Sequence, residues 1–149
     1  MNNAMNGYLQ YTPNEKTTAL YVRISDDEKK RGSYDSISNQ IKILKELAVK
    51  KGLTNLEVYR DDGKTGGNFD RPAFNQMIAD IENTKLNCIL VKDLSRFGRE
   101  HINGDYYLEI FLPKHNVRFV TQHEGFDSYT DPKRMNSIEV PLVFVNPKV

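Results

Sequence analysis

Apolar residues along this chain fall into two alternating patterns. Short β-branched and aromatic runs, which are typical of strands, are separated by longer segments in which apolar residues recur at helical spacing. The predicted strands cover residues 17–24, 56–59, 87–91 and 117–121, and the predicted helices cover residues 36–51, a segment from residue 72, and 99–111. This alternation predicts a three-layer α/β fold with a mostly parallel central sheet of four to five strands and helices on both faces.

Residues at the ends of these segments support the predicted boundaries. Ser36 can cap the first helix and Gly52 can end it, because serine accepts hydrogen bonds from free backbone N–H groups and glycine adopts a left-handed conformation. Pro72 suits the first turn of the second helix, whereas Pro113 is expected to interrupt or end the third. The strand at residues 87–91 is apolar on both faces, which predicts a central place in the sheet.

The length of the chain, 149 residues, suits one domain. We interpret residues 1–16, which are rich in Asn, as a flexible lead-in, and residues 17–137 as the folded domain. Residues 138–149 form an atypical tail that is β-branched and apolar around Pro141, which favours a strand or an irregular segment. We find no repeat and no interdomain linker.

Composition narrows the possible functions. Lys+Arg 21 against Asp+Glu 20 gives a net charge of +1, so any phosphate site must come from local clustering of charge. The single cysteine, Cys88, excludes an internal disulfide and offers no metal-ligand spacing, and we interpret it as buried and inert. No apolar run approaches membrane-spanning length, and the polar start lacks a signal-peptide core. We therefore expect a cytoplasmic protein that uses no cofactor, no metal and no membrane.

Candidate chemistry lies at the carboxyl ends of the predicted strands. The first strand ends at Arg23, and Ser25 follows two residues later on the same face of an extended chain. Parallel topology brings the following loops to the same edge of the sheet. Those loops add an acidic residue and three arginines, which are Asp62, Arg71, Arg96 and Arg99. The sequence therefore predicts a serine surrounded by four arginines.

That set of residues favours phosphoryl transfer over acyl transfer. A phosphodiester under attack spreads negative charge over its oxygens, and positioned arginines stabilise that charge. Ser25 lacks the Gly-x-Ser-x-Gly elbow of serine hydrolases. A nucleotide-binding Walker pattern fails because Val58 stands where that pattern needs a glycine. Three histidines have no triad context and are interpreted as surface residues, namely His101, His115 and His123.

Taken together, these residues resemble the catalytic domain of the serine recombinases (the resolvase/invertase family), and most closely the large transposon-encoded members. The resemblance covers residues 17–126 with the order and spacing of the motifs preserved. The motifs are Tyr21-x-Arg23-x-Ser25, Gln40 in the first helix, Asp62-x-x-Thr65-Gly66 followed by Arg71-Pro72, and Leu94-Ser95-Arg96-Phe97-Gly98-Arg99.

The resemblance implies a resolvase-like fold and the cleavage and rejoining of DNA strands. Ser25 would attack a DNA phosphodiester to form a 5′-phosphoserine bond, and the four arginines would bind the scissile phosphate. Gln40 and Asp62 would orient groups around the serine, and Thr65 and Gly66 would lie in a mobile active-site loop. The implied outcome is excision or integration of a mobile element. The implied partners are double-stranded DNA and further copies of the chain, as a homodimer and a synaptic homotetramer of the full-length protein.

Two features depart from the family pattern. Many small resolvases carry an aspartate at the position of Ser95, and we hypothesise that Asp93 supplies the missing carboxylate. Relatives also continue into a long dimerisation helix and DNA-binding domains, whereas the residues before Val149 do not predict such a helix. Two alternatives therefore stay open. One is a shortened, non-cleaving dimerisation or regulatory module, and the other is a receiver-like signalling domain, which leaves the four arginines unexplained.

Overall fold

The computed structural model describes residues 9–25, 28, 36–62, 71–97 and 106–131. The strands in these ranges are β1 (Thr17–Arg23), β2 (Leu56–Asp61), β3 (Leu86–Val91) and β4 (Arg118–Thr121). The helices are α1 (Ile37–Lys50), α2 (Pro72–Glu82), the short α3 (Leu94–Phe97) and α4, in which π-helical Tyr107–Phe111 continues as α-helical Leu112–Lys114.

The sheet confirms the predicted parallel topology. Its order is β2-β1-β3-β4, and every neighbouring pair is parallel. Strands β1 and β3 are therefore central, which agrees with the apolar character of both their faces. Since the strands are parallel, the loops that follow them all leave from one edge of the sheet.

Side chains alternate between two hydrophobic clusters, one on each face of the sheet. In β1, Ala19 and Tyr21 belong to one cluster, while Leu20 and Val22 belong to the other. The first cluster packs against α2, α3 and α4, and the second packs against α1. The predicted three-layer α/β arrangement is thus confirmed. The packing of each helix on the sheet also sets the position of the helix ends relative to the sheet edge.

The helix ends follow the predicted signals. The Ser36 hydroxyl oxygen accepts a hydrogen bond from the N–H of Asn39, which caps α1. Gly52 has φ +73° and donates to Val49 O, while Leu53 N donates to Ala48 O at 2.9 Å. These two bonds form a Schellman motif, which requires a left-handed residue at the glycine position. In α2, Pro72 occupies the first turn as expected.

Two segments differ from the sequence-based expectation. Residues 9–16, assigned to a flexible lead-in, lie against the domain, with Leu9 and Tyr11 buried. The third helix continues one residue past Pro113 because the chain first widens into a π-helical turn, and the helix then ends at Lys114. The predicted tail, residues 138–149, lies outside the described residues.

A buried ion pair between Arg118 and Asp127 lies beside the second hydrophobic cluster. Arg118 in β4 donates two hydrogen bonds to Asp127, at 3.0 and 2.7 Å, and both side chains are 4% exposed. Lys51 adds a third cationic contact to the same carboxylate at 2.8 Å. The guanidinium of Arg118 also lies over the rings of Tyr11 and Tyr129. No helix in the described part of the chain combines the length and apolar character that crossing a membrane requires.

Candidate active site

Gln40 fixes the end of β1, where the candidate nucleophile follows. Its side chain is fully buried, Oε1 accepts from the N–H of Arg23 at 3.2 Å, and Nε2 donates to the carbonyl of Arg23 at 2.9 Å. A side-chain amide that pairs with both backbone groups of one residue holds that residue in a single orientation. The chain after Arg23 therefore leaves the sheet on a fixed path toward Ser25, which is partly exposed.

Arg23 and Arg96 interlock across the loop after β3. Arg23 donates from Nε to the carbonyl of Arg96 at 3.1 Å and from a terminal nitrogen to the carbonyl of Ser95 at 2.7 Å. Arg96 in turn donates to the carbonyl of Arg23 at 3.0 Å. The accepting carbonyls belong to α3. Arg23 thus caps this helix and fixes the position of Arg96.

Arg71 reaches the same short helix from the start of α2. Its terminal nitrogen donates to the carbonyl of Phe97 at 2.7 Å, and its Nε donates to the hydroxyl of Tyr21 at 3.3 Å. The guanidinium lies 3.9 Å from the centre of the Phe74 ring, a cation–π distance. All of these acceptors are neutral groups. Arg71 forms no ion pair with any residue in the described ranges.

Asp61 organises this arginine indirectly, and the sequence analysis missed it. Its carboxylate accepts from the N–H groups of Ala73 and Phe74 at 2.8 and 3.0 Å, which caps α2, and from the hydroxyl of Tyr21 at 2.7 Å. Burial raises the pKa of Tyr21 above its ordinary value, so its hydroxyl stays neutral and bridges Asp61 to Arg71. Tyr21 and Asp61 are diagonal neighbours on the paired strands β1 and β2. A prediction of how these two strands align would therefore have brought the two side chains together.

Ser25 and Glu28 exchange two hydrogen bonds. The Ser25 hydroxyl oxygen accepts from the N–H of Glu28 at 3.1 Å, and Glu28 Oε1 accepts from the N–H of Ser25 at 3.0 Å. This reciprocal pattern is a capping box, and its signature is visible in the sequence as Ser-Asp-Asp-Glu. Glu28 was not predicted as a site residue, although that signature could have identified it.

The carboxylate of Glu28 also binds Arg96. Both of its oxygens accept from one terminal nitrogen of Arg96, at 2.7 and 2.6 Å. Burial acts to raise the pKa of Glu28, but hydrogen bonds from Arg96 and from the N–H of Ser25, with the charges of Arg96 and Arg23, hold that pKa below its usual range. Glu28 is therefore ionised at neutral pH and links the candidate nucleophile to an arginine.

Asp93 occupies the neighbourhood of Ser95, as hypothesised from the sequence. The Ser95 hydroxyl donates to Asp93 Oδ1 at 2.6 Å, and the same oxygen accepts from the N–H of Arg96 at 3.2 Å. Asp93 Oδ2 lies 3.8 Å from Nε of Arg96, a buried nitrogen without a hydrogen-bond partner. A carboxylate therefore faces Arg96 even though residue 95 is a serine.

The remaining predicted residues have different outcomes. Asp62 directly follows β2 at the same sheet edge and is half-buried. Arg99, Thr65 and Gly66 lie outside the described residues. Of the histidines, His115 packs on the ring of Phe111 and contacts its carbonyl, and His123 is exposed, while His101 lies outside the described residues.

Cys88 is fully buried in the second hydrophobic cluster, on β3. Burial raises the pKa of its thiol to about 12, which keeps it protonated at neutral pH. This agrees with its interpretation as a buried residue without reactivity.

Comparison with known proteins identifies the class to which this fold and site belong. A family model described as "Resolvase, N terminal domain" matches residues 18–139. The chain therefore belongs to the resolvase family, and it is a serine recombinase catalytic domain. This membership confirms the resemblance carried by the motifs, and it leaves the receiver-like alternative without support.

Individual relatives agree with the family. The chain is 31% identical over 104 residues to the "Putative DNA recombinase" of Bacillus subtilis (strain 168), which covers 68% of this chain and 19% of that protein. It thus spans about a fifth of the length of that relative. It is also 35% identical over 67 residues to an uncharacterized immunity region protein 3 of Bacillus phage phi105, which covers 45% of this chain and 80% of that protein. The N-terminal catalytic domain of TP901-1 integrase superposes with a TM-score of 0.68 at 27% identity, covering 87% of this chain and 95% of that one.

Proposed function

We propose that this domain breaks and rejoins DNA with Ser25 as the nucleophile. The Ser25 hydroxyl loses its proton as its oxygen attacks the phosphorus of a phosphodiester, the bond from phosphorus to the 3′-oxygen breaks, and the 3′-oxygen takes up a proton. The product is a 5′-phosphoserine with a free 3′-hydroxyl. Because the new ester retains the bond energy, the reverse reaction with another 3′-hydroxyl rejoins strands without ATP.

One observation supports this proposal more strongly than any other. Arg23 and Arg71 both bind carbonyls of α3, the helix that carries Arg96, at the edge of the sheet where Ser25 leaves β1. Arginines held by backbone carbonyls are preorganised, which is what stabilisation of a phosphoryl transition state requires. In other phosphoryl-transfer systems one such arginine contributes about 10³–10⁵ in rate.

The other predicted site residues have supporting roles in the proposal. Gln40 positions the backbone that leads to Ser25. Asp62 orients groups at the start of the loop after β2, and Arg99 adds a fourth cation to the phosphate site. Both of these last assignments rest on the family motif.

The substrate proposed is double-stranded DNA, and the biological outcome is excision or integration of a mobile element. A net charge of +1 gives this domain little general attraction to DNA. We therefore propose that sequence recognition and the assembly of a homodimer and synaptic homotetramer belong to the full-length protein. The similarity to a named integrase and a named DNA recombinase supports this assignment.

The decisive experiment is to trap the covalent intermediate. The full-length protein is incubated with nicked DNA duplexes taken from the ends of the element that carries its gene, and protein–DNA adducts are separated on denaturing gels. Ser25→Ala is expected to abolish the adduct. Ser38→Ala, on the exposed face of α1, is the matched control and is expected to leave it unchanged. An adduct that persists in Ser25→Ala would refute the nucleophile, and a folded protein that never forms one would favour the non-cleaving alternative.

Asp93 can be tested in the same assay. We propose that it supports Arg96 in place of the aspartate that many small resolvases carry at position 95. Asp93→Ala is expected to slow adduct formation, and the double change Asp93→Ala, Ser95→Asp is expected to recover part of the rate. Unchanged cleavage by Asp93→Ala would exclude an essential role.

A further inference from the structure

We propose that the Glu28 carboxylate is an internal stand-in for the scissile phosphate, which DNA must displace from Arg96 before Ser25 reacts. This inference rests on the function proposed above for Ser25 and Arg96. The inference adds Glu28 to the site, as the residue that sets the charge around Arg96 before DNA binds.

The contacts of Glu28 resemble those that a bound phosphate would make. Two anionic oxygens meet one guanidinium nitrogen of Arg96 at 2.6 and 2.7 Å, and one of them also accepts from the N–H of Ser25 at 3.0 Å. Carboxylate and phosphate are both anions that a guanidinium binds through charge-assisted hydrogen bonds. The side chains of Arg96 and Glu28 are only 10% and 17% exposed, so water screens the pair poorly.

Charge balance at Arg96 argues for displacement rather than simultaneous binding. Glu28 lies on one side of the guanidinium, and Asp93 lies 3.8 Å from Nε on another. Lys92 also pairs with Asp93, at 3.6 Å, so Glu28 is the carboxylate whose charge is balanced chiefly by Arg96, and a phosphodiester has to compete with Glu28 for that guanidinium. Arg71, by contrast, is held by neutral acceptors and needs no such release.

The hydrogen bonds of the capping box link this displacement to the nucleophile. The Ser25 oxygen accepts from the N–H of Glu28, and a hydroxyl oxygen used as an acceptor has less electron density to offer phosphorus. A capping interaction contributes about 1 kcal/mol, so a phosphate bound by several arginines can disrupt it. Movement of Glu28 would therefore release Arg96 and Ser25 together.

The variant that isolates the charge is Glu28→Gln. Glutamine keeps an oxygen that can accept from Ser25 and Arg96 but removes the negative charge. Glu46→Gln, on the exposed face of α1, removes the same charge far from the site and is the matched control. At subsaturating DNA, we expect Glu28→Gln to form the Ser25-dependent adduct about fivefold faster, since a bond between two charged groups exceeds a charge–neutral bond by about 1 kcal/mol. The control is expected to match the wild type.

The outcomes separate this inference from the function on which it rests. An adduct that still forms in Ser25→Ala refutes Ser25 as the nucleophile. The inference about Glu28 then falls with the function on which it rests. A Ser25-dependent adduct formed equally fast by Glu28→Gln and wild type overturns the stand-in role. Loss of the adduct in Glu28→Gln, with recovery in Glu28→Asp, also overturns it and makes Glu28 a positioning or proton-accepting group.

A second measurement does not depend on DNA cleavage. Titration with inorganic phosphate, followed by the ¹⁵N resonance of Arg96 Nε, is expected to show tighter binding to Glu28→Gln than to wild type or Glu46→Gln. Urea denaturation of each variant establishes that it is folded. Equal phosphate affinities in folded variants would overturn the inference even if no DNA site were known.

Discussion

Two arginine clusters in this domain are built in opposite ways. Arg118 lies in a closed structural site, where Asp127 accepts two of its hydrogen bonds and two tyrosine rings cover its faces. Arg71 lies at the sheet edge, where a carbonyl and a hydroxyl accept its hydrogen bonds and one ring supports it. Among the residues that the structure describes, only the first of these arginines is paired with a carboxylate.

The difference shows how a fold can hold a guanidinium in place without pairing it with a counterion. A buried guanidinium with a carboxylate partner forms a neutral unit, which stabilises packing but has little left for a ligand. A guanidinium bound to carbonyls has its donors satisfied, yet it keeps its full charge. Arg96 stands between the two, since it pairs with Glu28 through the contact that DNA would displace under the inference above.

The largest effect is expected at Arg71. Arg71→Ala should reduce the rate of Ser25-dependent adduct formation by about 10³ or more, because it removes a preorganised cation from the transition state. Its stability should fall by only about 1–2 kcal/mol, from lost hydrogen bonds and ring stacking. Single-turnover adduct kinetics beside urea denaturation measure the two effects. A rate loss no larger than the stability loss explains would mean that Arg71 is structural, like Arg118.

At Arg118 the expected effect is on stability. Asp127→Asn should lower the free energy of unfolding by about 3–5 kcal/mol, because it leaves a buried guanidinium without its counterion. Adding Arg118→Met should recover part of that loss, since it removes the unpaired charge. Urea denaturation of the single and double variants forms the test. If Asp127→Asn is as stable as wild type, the contrast between the two clusters is wrong.

The same pair predicts a pH dependence of stability. Burial acts to raise the pKa of Asp127, but hydrogen bonds from Arg118 and Lys51 and the charge of Arg118 bring it below its usual value. A carboxyl whose pKa is lower in the folded state contributes stability that is present above its unfolded pKa of about 4 and is lost as pH falls through the folded pKa. The urea midpoint should therefore fall below pH about 4, and less steeply in Asp127→Asn. Parallel curves for the two proteins would contradict this assignment.

The smallest effect is expected at Thr84, which lies outside both arginine clusters. This position serves as a control for how far a change in stability alone alters the rate of adduct formation. Thr84 ends α2 with φ +58°, a left-handed conformation that is unfavourable for a β-branched residue. Thr84→Gly should stabilise the fold by about 1 kcal/mol, with adduct kinetics unchanged. A rise in melting temperature measures the gain. A change in adduct rate here would show that stability alone alters the chemistry, which would weaken the conclusions from Arg71.

Local patterns predicted much of this fold. The serine cap, the left-handed glycine and the proline in the first turn of α2 are signals contained within a few residues, and each lies at the expected helix end. The apolar character of both faces of β3 correctly placed that strand in the centre of the sheet. The packing of residues 9–16 was not predicted, because it depends on contacts of Leu9 and Tyr11 with distant parts of the chain.

The candidate site was predicted in its residue types but not in its contacts. Arg23, Ser25, Gln40, Arg71 and Arg96 were all singled out by motif and position. Glu28 and Asp61 were missed, because their importance lies in the groups they join rather than in any chemistry of their own.

The sequence by itself determined the order of the elements, the parallel sheet and the family, because periodicity and motif spacing are properties of the chain. Only the tertiary structure decided which partner each arginine takes. At the candidate site, the hydrogen bonds that the arginine side chains donate join residues 26 to 73 positions apart, and no local pattern specifies them. Whether a guanidinium meets a carbonyl, as Arg71 does, or a carboxylate, as Arg118 does, follows from how the sheet edge and helices pack. That choice of partner determines which cations keep their charge for a phosphate.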